Sequence, residues 1–134
     1  MLDLAIHANG ESVKLKDAAK RQAISEKYLW QVVNPLKAAG LITTVRGAGG
    51  GYALAKPPSR ITLRDILAIL EGDCSLVDCV QSPGSCERSA ECVAREVWKE
   101  LDMKLAAAME SITLEDMAEK QRACADNSKL MYSI

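Results

Sequence analysis

The chain has 134 residues, of which 49% are hydrophobic and 26% charged, enough for one folded domain with a core and a protruding element. Its net charge of −1 conceals a division: residues 1–60 hold nine Lys and Arg against four Asp and Glu, residues 61–134 eight against fourteen. A first half at +5 suits a polyanion, which a second half at −6 would repel. No stretch approaches the ~20 apolar residues of a membrane span, and Met1–His7 lacks the basic start and long apolar core of a signal peptide. A cytosolic protein is expected, in which five cysteines are not structural disulfides.

Phe is absent and aromatics are scarce, so Leu, Ile, Val and Ala must build the core, a composition that favours helices. Asp3 to Asn9 reads as a helix with Leu4, Ile6 and Ala8 available for packing and Gly10 as its stop. No N-cap precedes it, so its beginning is expected upstream of Met1. A second helix is predicted over Leu15–Gln22, burying Leu15, Ala18 and Ala19. After a tight turn at Ala23 and Ile24, Ser25 caps a third helix reaching Ala39, with Gly40 as its end and Pro35 bending it. Ala19, Ile24, Leu29 and Val32 have the spacing of a helix-turn-helix. If that turn needs a left-handed residue, Ala23 costs about 1–2 kcal/mol there.

Leu41–Val45 reads as a strand and Gly51–Leu54 as its partner, joined by the basic, flexible tip Arg46-Gly47-Ala48-Gly49-Gly50. The glycines do not form a nucleotide-binding loop, because no Lys-Ser/Thr pair follows and strands flank them on both sides. A helix-turn-helix followed by a two-stranded hairpin is a winged helix. The expected fold is therefore mainly α with a small β-hairpin wing, a DNA-binding region over 1–60 and a sensing and dimerising region over 61–134.

Pro57-Pro58-Ser59 marks the join. Thr62 and Asp65 form a capping-box pattern at the head of a helix to about Leu70. A loop from Gly72 to Glu87 follows, then a long helix from about Arg88 to Ser111. On it Trp98, Leu101, Leu105, Ala108 and Ile112 recur at spacings of three and four, as in a coiled-coil seam. So small a chain has little left to cover that seam, which implies a second subunit. Thr113 caps a short final helix with Asp116 at its third position, and the chain frays from Asp126.

Cys74, Cys79, Cys86 and Cys92 fall within nineteen residues, separated by four, six and five others. Soft ligands on a flexible loop can converge on a thiophilic metal or an iron–sulfur cluster. The alternative is that they are small buried apolar side chains, which the neighbouring Pro83, Gly84 and Ser85 argue against. Cys124 stands apart, and His7, the lone His, fits packing or the surface better than a ligand. With no His, paired carboxylates or nucleophile–base set beside the cysteines, a metal-dependent or thiol enzyme is disfavoured.

Ile24-Ser25-Glu26-Lys27-Tyr28-Leu29, Leu36-Lys37-Ala38-Ala39-Gly40-Leu41, Val45-Arg46-Gly47-Ala48-Gly49-Gly50-Gly51-Tyr52 and Ile112-Thr113-Leu114 together resemble the Rrf2 family of bacterial transcription regulators, over essentially the whole chain. The resemblance implies homodimers that cross their long helices on near-palindromic double-stranded DNA. It also implies, for the cluster-binding members, a 2Fe–2S or 4Fe–4S cluster held by three loop cysteines, matched here by Cys79, Cys86 and Cys92. Iron–sulfur members carry a His three residues after the last Cys. Here that position is Arg95, whose guanidinium cannot ligate. The nitric-oxide-sensing members use an acidic residue near the chain start instead. Cys74 is the local spare or fourth ligand, with Asp78 and Glu91 behind it. Candidate DNA contacts are Ser25, Lys27, Tyr28, Trp30 and Gln31 on the third helix, and Arg46 and Gly47 on the wing. Trp30 stands where an iron–sulfur member has an acidic, sequence-discriminating residue, so its readout should differ. Cluster gain, loss or nitrosylation would then alter the spacing of the two reading heads. A cluster-free regulator using thiol redox chemistry or a partner protein is the alternative.

Overall fold

The computed structural model describes residues 1–7 and 10–133. Three short helices open the chain: α1 (Leu2–His7), α2 (Leu15–Gln22) and α3 (Glu26–Ala38). Ala8 and Asn9, assigned above to the first helix, lie outside the described residues. The hairpin follows as β1 (Ile42–Val45) and β2 (Gly51–Leu54), antiparallel, with Ile42 opposite Leu54 and Val45 opposite Gly51. Val13 extends it, exchanging both backbone hydrogen bonds with Tyr52 at 2.8 Å. The fold is thus mainly helical with a small hairpin wing, as expected.

The second half contains α4 (Leu63–Leu70), the four-residue α5 (Asp78–Gln81), α6 (Val93–Ser111) and α7 (Leu114–Tyr132). Both capping boxes form. Thr62 Oγ1 accepts from the Asp65 N–H while Asp65 accepts from the Thr62 N–H, and Thr113 and Asp116 repeat the exchange, at 2.9–3.1 Å throughout. The two helix starts are also joined to each other: the Leu63 N–H donates to the Ile112 carbonyl and the Leu114 N–H to the Ile61 carbonyl, both at 2.8 Å. Ile61, Leu114 and Leu36 are the largest fully buried side chains, and each contributes about 1.5–3 kcal/mol by leaving water. With Leu4, Val13, Ala18, Val33, Leu41, Ile42 and Ile66 they form one core drawn from both halves of the chain.

Three expectations need correction. The long helix starts at Val93, not Arg88, because residues 86–91 spend their backbone donors in turns, Ser89 N–H to the Cys86 carbonyl and Glu91 N–H to that of Arg88. The loop from Gly72 is not irregular throughout: it holds α5 and a 3₁₀ turn over Pro83–Ser85. The final helix is long, 19 residues, because Leu114–Tyr132 contains neither Gly nor Pro and is rich in Ala, Met, Glu, Lys and Gln. It packs along α1, where the Arg122 guanidinium donates to the Ala5 carbonyl at 3.2 Å.

α1 is tied to α2 by Asp3, which accepts two hydrogen bonds from the Arg21 fork, 3.0 and 2.7 Å, and one from Gln22 at 3.1 Å. The Arg21 hydrogen bond holds the Asp3 carboxyl below its usual 3.8. The folded protein therefore binds this proton less readily than the unfolded chain. The contribution of Asp3 is complete above about pH 4 and is lost as pH falls through the lowered value. Asp3→Ala should cost about 1–2 kcal/mol in urea unfolding at neutral pH, with the gap from the wild type closing as pH falls below about 4. An equal gap at all pH values would show that Asp3 acts by packing alone.

Candidate nucleic-acid interface and cysteine loop

The turn between α2 and α3 is built on Ala23, in the left-handed region at φ 53° and ψ 39°. Its N–H donates to the Lys20 carbonyl and that of Ile24 to Ala19, closing α2 and redirecting the chain. The strain named above for a left-handed Ala is accepted here in exchange for those bonds. Ser25 then caps α3, accepting from the Tyr28 N–H at 3.1 Å. Val33 and Leu36 are buried against the core and Leu29 and Val32 are half-buried, which leaves Ser25, Lys27, Tyr28, Trp30 and Gln31 exposed. Tyr28 and Trp30 are 57% and 54% exposed. Pro35 stands inside the helix without ending it.

The wing carries Arg46 and Gly47 at its exposed tip. Gly47 adopts φ +109°, which a side chain would strain, and a Cβ on Gly51 would meet the Val13 carbonyl oxygen at 2.4 Å. The glycines therefore allow the hairpin to lie against Val13, while Ser12 Oγ holds the tip by donating to the Gly49 carbonyl at 2.5 Å. Among the described residues, Arg21 is the one Lys or Arg of the first sixty that forms an ion pair. Lys14, Lys16, Lys20, Lys27, Lys37 and Arg46 present unneutralised charge.

The cysteine segment is fastened to α6 by two side chains. Asp102 accepts from Ser75 Oγ at 2.5 Å and from the Leu76 N–H at 3.0 Å. Arg95 Nε donates to the Cys79 carbonyl at 2.9 Å, with its side chain only 15% exposed. Seven residues separate them, two turns of one face. Arg95, read above as a departure from a ligand position, is thus a fastening for the loop. Asp102 and Ser75 were missed by the sequence reading. A carboxylate amid a helix gives no local sign that it caps a distant loop.

Cys79 and Cys92 are half-buried, with Cys92 at the N-cap of α6, and Cys86 is exposed after the 3₁₀ turn. Cys74 lines a groove between α4 and α6. Cys124 is exposed on α7, and His7 Nε2 lies 3.9 Å from Asp3. Among the described residues, no three His, Cys, Asp or Glu side chains stand together so as to hold a metal. The cysteines therefore fit a thiophilic group in kind, but not in the placement seen here. No described helix is long and apolar enough to cross a membrane.

The model of the Rrf2 family, described as iron-dependent transcriptional regulators, matches residues 1–120. The chain belongs to the Rrf2 family. Like those relatives it is a DNA-binding transcription regulator and not an enzyme. It is 35% identical over 128 residues to protein rrf2 of Nitratidesulfovibrio vulgaris, covering 96% of this chain and 85% of that protein. Among solved structures it is similar to CymR, the global cysteine regulator of B. subtilis, with TM-score 0.73, 36% identity, and coverage of 89% of this chain and 87% of that one. IscR of T. potens is similar at TM-score 0.72 and 37% identity, over 90% of this chain and 78% of that one.

If Asp102 is what holds the loop's entry, Asp102→Ala should raise hydrogen exchange at Leu76 and its neighbours roughly 10- to 100-fold, the loss of a charge-assisted pair of bonds. Exchange in α3 should stay as it is. Unchanged exchange at Leu76 would mean that the loop is held elsewhere.

Proposed function

We propose that this Rrf2-family regulator works in the cytosol as a homodimer on a near-palindromic operator. Residues 1–60 read the DNA, and residues 61–134 join the subunits and sense iron–sulfur, redox or nitric-oxide status. The observation that carries the reading is the exposed face of α3 beside an unpaired basic wing. Two such helices in successive major grooves bring Lys27, Tyr28 and Gln31 to base edges and phosphates, and Arg46 to the adjacent minor groove. Support for dimerisation comes from α6, which buries no residue over 19 positions while Trp98, Leu101 and Leu105 lie exposed along it. A helix of that length with an uncovered apolar stripe requires a partner.

For sensing, Cys79, Cys86 and Cys92 are the residues that would hold a cluster, with Cys74 as spare or fourth ligand. Their thiols and the family's description as iron-dependent support this. A bound cluster would supply iron–thiolate bonds that oxidants or nitric oxide break. α5 and the 3₁₀ turn contribute no buried residue, so gathering the thiols would leave the core undisturbed. A second reading, a cluster-free regulator acting through thiol redox chemistry or a partner protein, is favoured by the separation of the thiols and by the likeness to CymR.

Three measurements test these assignments. Arg46→Ala should weaken operator binding by about 1–3 kcal/mol in an anisotropy titration at fixed salt, and unchanged affinity removes the wing from the interface. Leu105→Asp should give monomers or insoluble protein, and a well-folded dimer by light scattering would show that the stripe is not the seam. Protein purified without oxygen under iron-replete conditions should contain iron and sulfide and absorb in the visible. Serine at 79, 86 or 92 should bleach it while the winged helix stays folded. Colourless, iron-free wild-type protein establishes the thiol reading instead.

A further inference from the structure

The exposed side of α3 is uneven in chemistry. With Leu29, Val33 and Leu36 turned inward, the 100° step of the helix sets Lys27 and Gln31 at the centre of the outer face and Tyr28 and Trp30 on its two edges. Three of these have a polar tip suited to phosphate oxygens or to the donor and acceptor edges of bases. Trp30 does not: its indole offers one N–H and a broad apolar ring system, left 54% exposed on a helix that also carries Lys27 and Lys37. In the major groove every base edge is polar except one, the C5-methyl group of thymine.

We propose that Trp30 is a specificity-determining residue that selects thymine in each half-site by packing its ring on the C5-methyl group. The inference rests on the DNA-reading role of α3. Gln31, the next residue on the helix, suits adenine, whose N6 and N7 take an amide as a bidentate pair, so the two side chains together favour an A·T-rich step. Charge supplies the approach and the indole supplies the discrimination, because a methyl group missing from the site leaves the ring against a hole or against water. Burial of one methyl-sized group is equivalent to about fourfold in affinity, and to about fifteenfold for both half-sites of a dimer.

The test begins with selection of operators from a random duplex pool by the full wild-type chain and by Trp30→Ala, whose folding is checked by circular dichroism. The wild type should enrich thymine at one fixed position of each half-site, and the variant should lose that preference while keeping the others. Deoxyuridine is then placed at those positions, removing only the methyl group. Wild-type affinity should fall about four- to fifteenfold, Trp30→Ala affinity should not change, and Trp30→Phe should keep part of the sensitivity. The proposal is overturned if the wild type tolerates deoxyuridine, if Trp30→Ala enriches the same thymine, or if the selected half-site has no thymine there. A wild-type selection that enriches no sequence at all would instead overturn DNA reading by α3, and this proposal with it.

Discussion

The antiparallel pair formed by Ile61–Leu63 with Ile112–Leu114 closes the second half of the molecule on itself and presents it to the common core. Two backbone hydrogen bonds of 2.8 Å fix the heads of α4 and α7 side by side, and Ile61 and Leu114 carry that junction into the core that also holds Leu36 of α3. Each helix head is separately satisfied by its own capping box, so no donor is left wanting at a buried join. Everything between the two heads, the cysteine segment and α6, is an excursion from this point and returns to it. α6 extends 19 residues without burying one, and its C-terminal end is anchored where the Ile112 carbonyl accepts from the Leu63 N–H.

The same arrangement explains how two opposed charge balances coexist. Apart from Arg21, which pairs with Asp3, the basic residues of α2, α3 and the wing are left without ion-pair partners among the described residues, whereas pairs such as Arg64–Glu110 and Lys104–Glu100 lie in the acidic half. Cations that are not neutralised internally retain their field for a polyanion, and interactions with phosphates of that kind weaken steeply with salt. The wing is positioned by backbone pairing with Val13 and by Ser12 Oγ at its tip. Val13 adds an isolated bridge to Tyr52, and only glycine at 51 permits the approach.

The cysteine segment is held differently from the core, by polar fastenings instead of apolar burial. Asp102 and Arg95 each cover one part of it, on the same face of α6, next to the apolar stripe of Trp98, Leu101 and Leu105. Three such bonds hold the segment, against ten side chains buried in the core, so it belongs to the part of the molecule that opens at lower cost.

What the sequence determined by itself is whatever acts within a few residues. Ser25, Thr62 and Thr113 each sit one position before a helix with a partner three residues on, and all three caps form as read. The glycine-rich tip between two short apolar runs specified the wing, and the three-to-four spacing along α6 marked its apolar stripe. The tertiary structure alone decided the pairing of Ile61–Leu63 with Ile112–Leu114, the addition of Val13 to the hairpin, and the use of Arg95 and Asp102 as loop fastenings. These join residues far apart in the chain, and their strength comes from burial and from hydrogen bonds whose partners no local pattern names. The late start of α6 is a local departure from the composition. Residues 88–92 are compatible with a helix by composition, but the Ser89 and Glu91 N–H groups close turns onto the Cys86 and Arg88 carbonyls instead.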